Sequence, residues 1–429
     1  HHYKSDEPTV PMVNGHAFEF MNVLIINSAD LEGGAARAAF RLHQGLRLIG
    51  VGSQLMVQSK TSDDRWVQGP VSTFDKVMSK VRPSIDIIPV NRYPEGKGKI
   101  FSPAWLPFSG MVDKINASDA DVVHFHWING GMLRIEDIAR INKPIAWSLH
   151  DMWPFTGGCH YDGECGRYTD RCGKCPVLGS TDENDLSRKI FRRKEKTYAN
   201  KKLTIIGLSR WMADSARSST LLKNHNVVNL PNPIDTEVFK PIDKQFCKQL
   251  LGLPVDKPVV LFGAVNATAD PRKGFIHVSE ALRRLPKDSV ELAVFGASRP
   301  EQPPDLGHPI HYLGRLHDDT TLCILYNAAD VVIVPSLQEN LSNTIVESLA
   351  CGTPTVAFDI GGNKDMIDHH VNGALAKAFD ADDLATCIRW VLENPDPAAI
   401  SANARRIAME RFEMATVARR YETLYTEMI

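Results

Sequence analysis

Residues 330–362 read DVVIVPSLQENLSNTIVESLACGTPTVAFDIGG and constrain the fold more than any other stretch. Val331-Val332-Ile333-Val334, closed by Pro335, is an unbroken apolar run of strand length. Such a run predicts a strand buried on both faces, as in parallel sheets. A polar loop, 336–342, follows it. Residues 343–350 then place Ile345, Val346 and Leu349 on one helical face, Cys351-Gly352 stops the helix, and 353–358 reads as a strand again. Strand, loop, helix and strand make a βαβ unit. Ligands of such sheets bind beyond the carboxyl ends of the strands, where loop 336–342 lies.

Two acids sit in this unit, Glu339 in the loop and Glu347 in the second turn of the helix, with seven residues between them. The helix start offers the backbone N–H groups of Leu341, Ser342 and Asn343, and such groups favour phosphate. Ionised carboxylates accept strong hydrogen bonds from sugar hydroxyls. Amides for phosphate and two acids for hydroxyls suit a nucleotide sugar. Taken singly, each glutamate reads as an ordinary surface acid; the combination is what points to a ligand.

A chain of 429 residues is too long for one core, so two domains are expected. Its 43% hydrophobic and 23% charged residues are ordinary for a soluble globular protein. A net charge of −2 gives no basic bias toward nucleic acid. There is no apolar run of about 18 residues, and hence no expected spanning helix. Residues 1–20 are polar and patternless and read as an affinity tag with a linker, which makes Met21 the expected natural start. No signal peptide is read after it, so the expected compartment is the cytoplasm, with the eight cysteines mostly reduced.

From the front, Val23-Leu24-Ile25-Ile26 is a buried strand that runs through Gly33-Gly34 into an Ala-rich helix, 35–49. Such a turn either brings backbone close to an anion or is a plain tight turn. It is not G-x-G-x-x-G, so it supports no dinucleotide fingerprint. A second strand is read at 54–58. Pro83, Pro89, Pro94, Pro103 and Pro107 break every period within 60–118, and no element is expected there. Strands at 121–127 and 144–151 put His126 and His150 near strand carboxyl ends.

Cys159, Cys165, Cys172 and Cys175 lie within 17 residues. The C-x2-C pair is half of a structural zinc site; disulfides in any of three pairings, or free thiols, are the other readings. A helix at 182–200 carries six basic residues among the ten of 187–196. That run is either a solvated face or a dock for anionic lipid headgroups, where each charge contributes about 1 kcal/mol. In the second half a strand ends at Gly263, and Arg272 and Lys273 open the next helix. Cations, amides and helix dipole together make a diphosphate clamp.

The E-x7-E spacing after Pro335-Ser336, followed by E-S-L-A-C-G-T-P-T-V, resembles the group 1 (family 4) retaining glycosyltransferases of the GT-B fold. The likeness covers most of the C-terminal half and is looser before it. It implies an α/β fold of two doubly wound Rossmann-like domains facing a cleft. Residues 21–235 would form the acceptor-side domain, 236–408 the nucleotide-sugar domain, and 409–429 a helix crossing back. It implies that Glu339 holds the donor sugar's hydroxyls and Glu347 the ribose. The Gly33-Gly34 turn would face the donor phosphates and acceptor. The backbone after Gly314, at Arg315 and Leu316, would read the base, and His150 would lie near the transferred sugar. His126 is a weaker acceptor-side candidate. The family pattern has an arginine directly after the strand glycine. Here Ala264 follows Gly263, and Arg272 would supply that cation. The insert 159–175 is outside the general pattern and resembles a branch of bacterial exopolysaccharide and capsule enzymes. It would cover the acceptor side of the cleft.

The expected reaction is glycosyl transfer with retained configuration from a nucleotide-diphosphate sugar to a glycan or lipid-linked glycan. His150, Glu339, Arg272 and Lys273 would carry it, and the 340–343 stretch from Asn340 through Leu341 and Ser342 to Asn343 would cradle the donor. No catalytic metal is expected, since the acidic pair Asp119-Ala-Asp121 precedes its strand rather than ending it. Structural zinc on the four cysteines is the one metal considered, and peripheral contact with the inner membrane face the one lipid contact. A nucleotide-sugar epimerase or hydrolase on the same fold, and a non-catalytic binding partner, are the competing readings.

Overall fold

The computed structural model describes residues 21–96, 100–263, 271–316 and 318–429. The tag reading of 1–20 and the Ala264 position lie outside the described residues.

The first sheet holds β1 (Asn22–Ala29), β2 (Gly52–Ser59), β3 (Val67–Gln68), β4 (Val122–Phe125), β5 (Ile145–Leu149), β6 (Leu203–Gly207) and β7 (Asn226–Asn229). The second holds β8 (Val259–Gly263), β9 (Glu291–Phe295), β10 (Ile310–Tyr312), β11 (Val331–Val334), β12 (Thr355–Phe358) and β13 (Gly373–Ala376). Their orders are β3-β2-β1-β4-β5-β6-β7 and β10-β9-β8-β11-β12-β13, with every pair parallel. Strands β4, β5, β6, β8, β9, β11 and β12 are buried along their whole length, because helices cover both faces of each sheet. In each sheet the winding reverses once, between β1 and β4 and between β8 and β11. At such a reversal the connecting helices leave in opposite directions and open a crevice at the strand carboxyl ends.

The stretch 60–118 is more regular than its prolines suggest. It forms β3, a helix Thr73–Asp86 and a helix Met111–Ala117. Pro83 sits inside the last turns of the first helix, where it supplies no N–H to the carbonyl of Ser79. Gln58 Nε2 donates to that carbonyl instead, at 3.3 Å. A tertiary contact thus meets a defect that local pattern reads as a break.

The basic helix runs Leu186–Tyr198 and is neither a solvated face nor a uniform basic surface. Lys194 is fully buried and donates to the carbonyls of Trp153 and Thr156, and burial lowers its ammonium to about 7. Arg193 pairs with Glu136 at 2.7 Å, and Arg188 pairs with Glu183. Three of the six cations are therefore turned into structure, and the headgroup-docking reading of this helix loses its basis.

The chain ends in helices Pro397–Phe412 and Met414–Thr426. The last one lies on the first domain, against the helix Gly34–Leu48. Gly45 makes that crossing close: a Cβ there would stand 2.9 Å from Met414 Cγ and 3.3 Å from Ala418 Cβ. Tyr425 passes beneath β4, and its hydroxyl bonds His124 Nδ1 at 2.6 Å, while His124 Nε2 meets Ser148 Oγ at 2.8 Å. Removing the hydroxyl leaves a buried ring nitrogen unpaired. Tyr425→Phe should lower stability by about 1–3 kcal/mol in denaturant unfolding. Tyr421→Phe, whose hydroxyl is 3.5 Å from Ser148 Oγ, should cost less.

Candidate functional site

The carboxyl ends at both reversals face each other. From β1 comes the turn at Gly33, whose φ of +94° favours glycine, leading into the helix Gly34–Leu48. From β4 and β5 come His126 and His150. From β8 come Gly263 and, past the undescribed loop, the short turn Pro271–Lys273. From β11 comes loop 335–342 and the helix Asn343–Ala350.

Glu339 and Lys273 meet here. Lys273 Nζ is 4.0 Å from Glu339 Oε2, and both side chains keep some exposure. The loops that carry them are locked together, since Leu337 N donates to the Arg272 carbonyl at 2.8 Å. Gly274 lies against the Pro335 carbonyl, where a side chain would collide. Arg272 and Lys273 therefore precede the helix Phe275–Leu282 by a turn rather than forming its first residues. Arg272 lies 5.5 Å above the ring of Tyr161, from the cysteine insert.

The helix Asn343–Ala350 starts from Ser342, which makes no side-chain cap. Its first amides lack intrahelical acceptors and form a site suited to an anion. That start faces the glycine turn: Asn343 Nδ2 donates to the Gly34 carbonyl at 3.2 Å. Asn340 turns away from any donor and ties the domains instead. Its Nδ2 donates to the carbonyls of Leu149 (2.8 Å) and His150 (3.2 Å), and Ser209 Oγ donates to its Oδ1 at 2.8 Å. Leu341 is core, not a ligand-facing residue.

Glu347 lies in a separate, buried network. Arg41, from the first domain, donates to Oε1 at 2.8 Å, and the Tyr326 hydroxyl donates to Oε2 at 2.8 Å. Arg41 also reaches Asp319 at 3.2 Å. Burial works against the guanidinium charge, but Glu347 and Asp319 outweigh it and hold Arg41 above its ordinary value. Burial and the Glu347 charge push the Tyr326 phenol well up. Four acids and cations expected around one opening are thus divided. Glu339 and Lys273 meet, Arg272 stacks on the insert, and Glu347 is satisfied across the cleft. Sequence reasoning missed Arg41, Tyr326 and Asp319. The usable signal was an arginine on the core face of an Ala-rich helix, three residues after Ala38 and four before Gly45.

Gly263 ends β8 beneath Phe295, where a Cβ would collide. Gly314 has φ +69° and accepts from Gly296 N at 2.7 Å, so the pair closes one turn; Arg315 is exposed and Leu316 packs on the core.

His124, His126 and His150 form a row. Their ring centroids stand 4.4 and 5.0 Å apart, and His126 Nδ1 meets His150 Nε2 at 2.8 Å. Burial lowers all three, His124 to about 3 and His150 to about 4, with His126 also well below its ordinary value. Neutral His150 can donate one ring hydrogen bond into the cleft at neutral pH.

Next to His150, Asp151 Oδ2 bonds His160 Nδ1 at 2.6 Å, and His160 Nε2 meets Ser102 Oγ at 2.8 Å. This chain fixes the start of the insert. Among the described residues no three His, Cys, Asp or Glu side chains are gathered to hold a metal ion, and none of the four insert cysteines is in a disulfide. The expected zinc ligands are thus not assembled as a set. Cys159, Cys172 and Cys175 lie in the apolar core while Cys165 is partly exposed. Burial raises these thiols, Cys172 to about 12, which keeps them protonated rather than as ligating thiolates. The insert reaches the second domain's site loops, where Asp162 accepts from Gln338 at 3.1 Å.

Residues 243–407 match the family model of group 1 glycosyl transferases. The fold is GT-B. A sucrose-phosphate synthase from Thermosynechococcus elongatus superposes with a TM-score of 0.66 at 17% identity, over 95% of this chain and 98% of that one. Anabaena HepE in complex with UDP-glucose gives 0.61 at 17% identity, over 95% and 100%. A D-inositol 3-phosphate glycosyltransferase of Catenulispora acidiphila is 28% identical over 64% of this chain and 63% of its own length. One from Thermobispora bispora is 31% identical over 47% and 51%. The chain thus spans between half and two thirds of these curated relatives. The group 1 domain contains Glu339, Glu347 and Lys273, while Arg41 and the histidine row lie outside it.

Two outcomes follow. In the unfolded chain each histidine protonates near pH 6.5, but in the fold His150 and His124 do so at about 4 and 3. Between these values the unfolded chain holds more protons, so acid favours unfolding. The stability is complete above 6.5 and is lost as pH falls through 4. Thermal midpoints should drop across that window, with a shallower slope in His150→Asn. Second, a double-mutant cycle on Arg41→Ala and Glu347→Ala should show coupling of about 1 kcal/mol or more. X-ray scattering should show a larger radius for Arg41→Ala; an unchanged radius with zero coupling means the pair does not hold the domains closed.

Proposed function

We propose that this chain is a retaining glycosyltransferase that moves a sugar from a nucleoside diphosphate to an acceptor hydroxyl of a glycan or lipid-linked glycan in bacterial polysaccharide assembly. The observation that carries this reading is the meeting of Lys273 and Glu339 beside an uncapped helix start that faces a glycine turn. A nucleotide sugar needs a cation and amides at its diphosphate and an acid at its sugar hydroxyls. HepE is seen with UDP and with UDP-glucose, which makes uridine sugars the first donors to try.

In the proposed reaction the bond from the sugar's anomeric carbon to the diphosphate oxygen breaks. A bond from the acceptor oxygen to that carbon forms on the same face, and the acceptor proton passes to the departing diphosphate. Lys273, Arg272 and the helix-start amides would stabilise the charge gathering on that leaving group. Glu339 would hold the sugar hydroxyls, and neutral His150 would donate to the sugar. The ribose would take Glu347 by replacing Arg41, so donor binding and domain movement would be linked. This scheme calls for no divalent cation.

Thermal shifts against UDP-, GDP-, ADP- and TDP-sugars test the donor; a ligand at a hundred times its Kd adds about 2.7 kcal/mol. Glu339→Gln should reduce transfer by about a hundredfold or more while nucleotide binding persists. The product's anomeric configuration, read by NMR, should match the donor's. Nucleotide release at full rate without acceptor would favour the hydrolase reading, and stabilisation by none of the four would sink the proposal.

A further inference from the structure

The first domain carries an apolar face that nothing in the fold covers. A groove of about 970 Å³ lies along the helix Thr73–Asp86, floored by Met56, Val57, Met78, Ile85 and Met111. Its rim is exposed: Val71 is 87% accessible, Phe74 72% and Phe108 95%. On the helix, Phe74, Val77 and Val81 fall at i, i+3 and i+7, so three exposed apolar side chains share one stripe.

Phe108 makes this face hard to read as chance. It holds φ +61°, a left-handed backbone that a bulky residue adopts at a cost. The loop is pinned from behind, where Arg82 donates to the carbonyls of Leu106 (3.1 Å) and Pro107 (3.0 Å) and to Gly131 at 2.6 Å. A strained, anchored loop therefore holds a phenylalanine in solvent.

The charges around the face select the partner. Lys76 and Lys80 flank the helix stripe, and Lys60 and Lys114 line the groove, against Asp75 on the helix and Asp113 beside Lys114. Aromatic and branched apolar groups interleaved with lysines suit the headgroup boundary of an anionic bilayer, where rings enter and cations meet phosphate. The face also adjoins the cleft. From β2, which supplies its wall, the chain passes to Thr61, which bonds Asp30 at 2.9 Å, and Asp30 lies just before the Gly33 turn.

We propose that this face, and not the basic helix Leu186–Tyr198, docks the protein on an anionic membrane, with Phe74 and Phe108 inserted. The inference does not depend on the glycosyltransferase reading, since vesicle binding is measured without donor or acceptor.

The test is co-sedimentation with vesicles of phosphatidylcholine alone and of an equimolar mixture with phosphatidylglycerol. The wild type should pellet with the mixed vesicles and far less with phosphatidylcholine. Phe74→Ser with Phe108→Ser should weaken that binding by about tenfold or more, with an unchanged melting temperature, because both side chains are exposed. Charge reversal at Lys189, Arg192 and Lys196 should leave it unaltered. The proposal is overturned if the wild type stays in the supernatant, if the double variant pellets as well as wild type, or if reversal on the basic helix alone abolishes binding. It is equally overturned if the face instead mediates self-association, seen as a dimer in sedimentation that the double substitution removes.

Discussion

The buried contact between Arg41 and Glu347 is the interaction on which the two-domain arrangement turns. A carboxylate this deep needs a partner, since an unpaired buried charge is far more costly than a paired one. The partner comes from the other domain. Glu347 is therefore comfortable while the domains are closed, and it needs a new donor when they part. Asn340, Ser209 and Asn343 add neutral hydrogen bonds across the same boundary. These are individually modest, so the charged pair sets the energy scale.

The same geometry gives the site a two-sided character. Lys273 and Glu339 stand at the limit of an ion pair, 4.0 Å apart, and neither consumes the other. Both remain available to a ligand that offers a phosphate on one side and hydroxyls on the other. Glu347, in contrast, is committed in the closed form. Reactive-looking groups nearby, such as the Asp151–His160–Ser102 chain, are buried and hold the insert in place. The insert in turn sets Tyr161 under Arg272 and Asp162 beside Gln338, so its role reaches beyond the acceptor side on which sequence placed it.

Much of the fold was legible because parallel strands announce themselves. Val331 to Val334 and Val23 to Ile26 are uninterrupted apolar runs, and period and length suffice to name them. The helix Asn343–Ala350 was likewise predicted at its observed bounds. The helix Thr73–Asp86 was not, because its Pro83 reads as a break until Gln58 is folded against Ser79. The basic run was misread for a related reason. Composition shows six cations, but it cannot show that Lys194 points inward to two carbonyls. The cysteines show the same limit: spacing suggests ligands, but whether thiols converge depends on where three short turns send them.

The sequence by itself determined two parallel α/β domains, the strand ends at which chemistry must sit, and the loop that carries Glu339. These depend on local periodicity and on glycine and proline positions, which act within a few residues. The tertiary structure decided which charges meet. Arg41 finds Glu347 across 306 positions of chain, and Asn340 finds the end of β5 across 191. No local pattern encodes such pairings, because they arise from burying two complementary surfaces together, and the choice among partners is made by the desolvation cost of leaving any one of them alone.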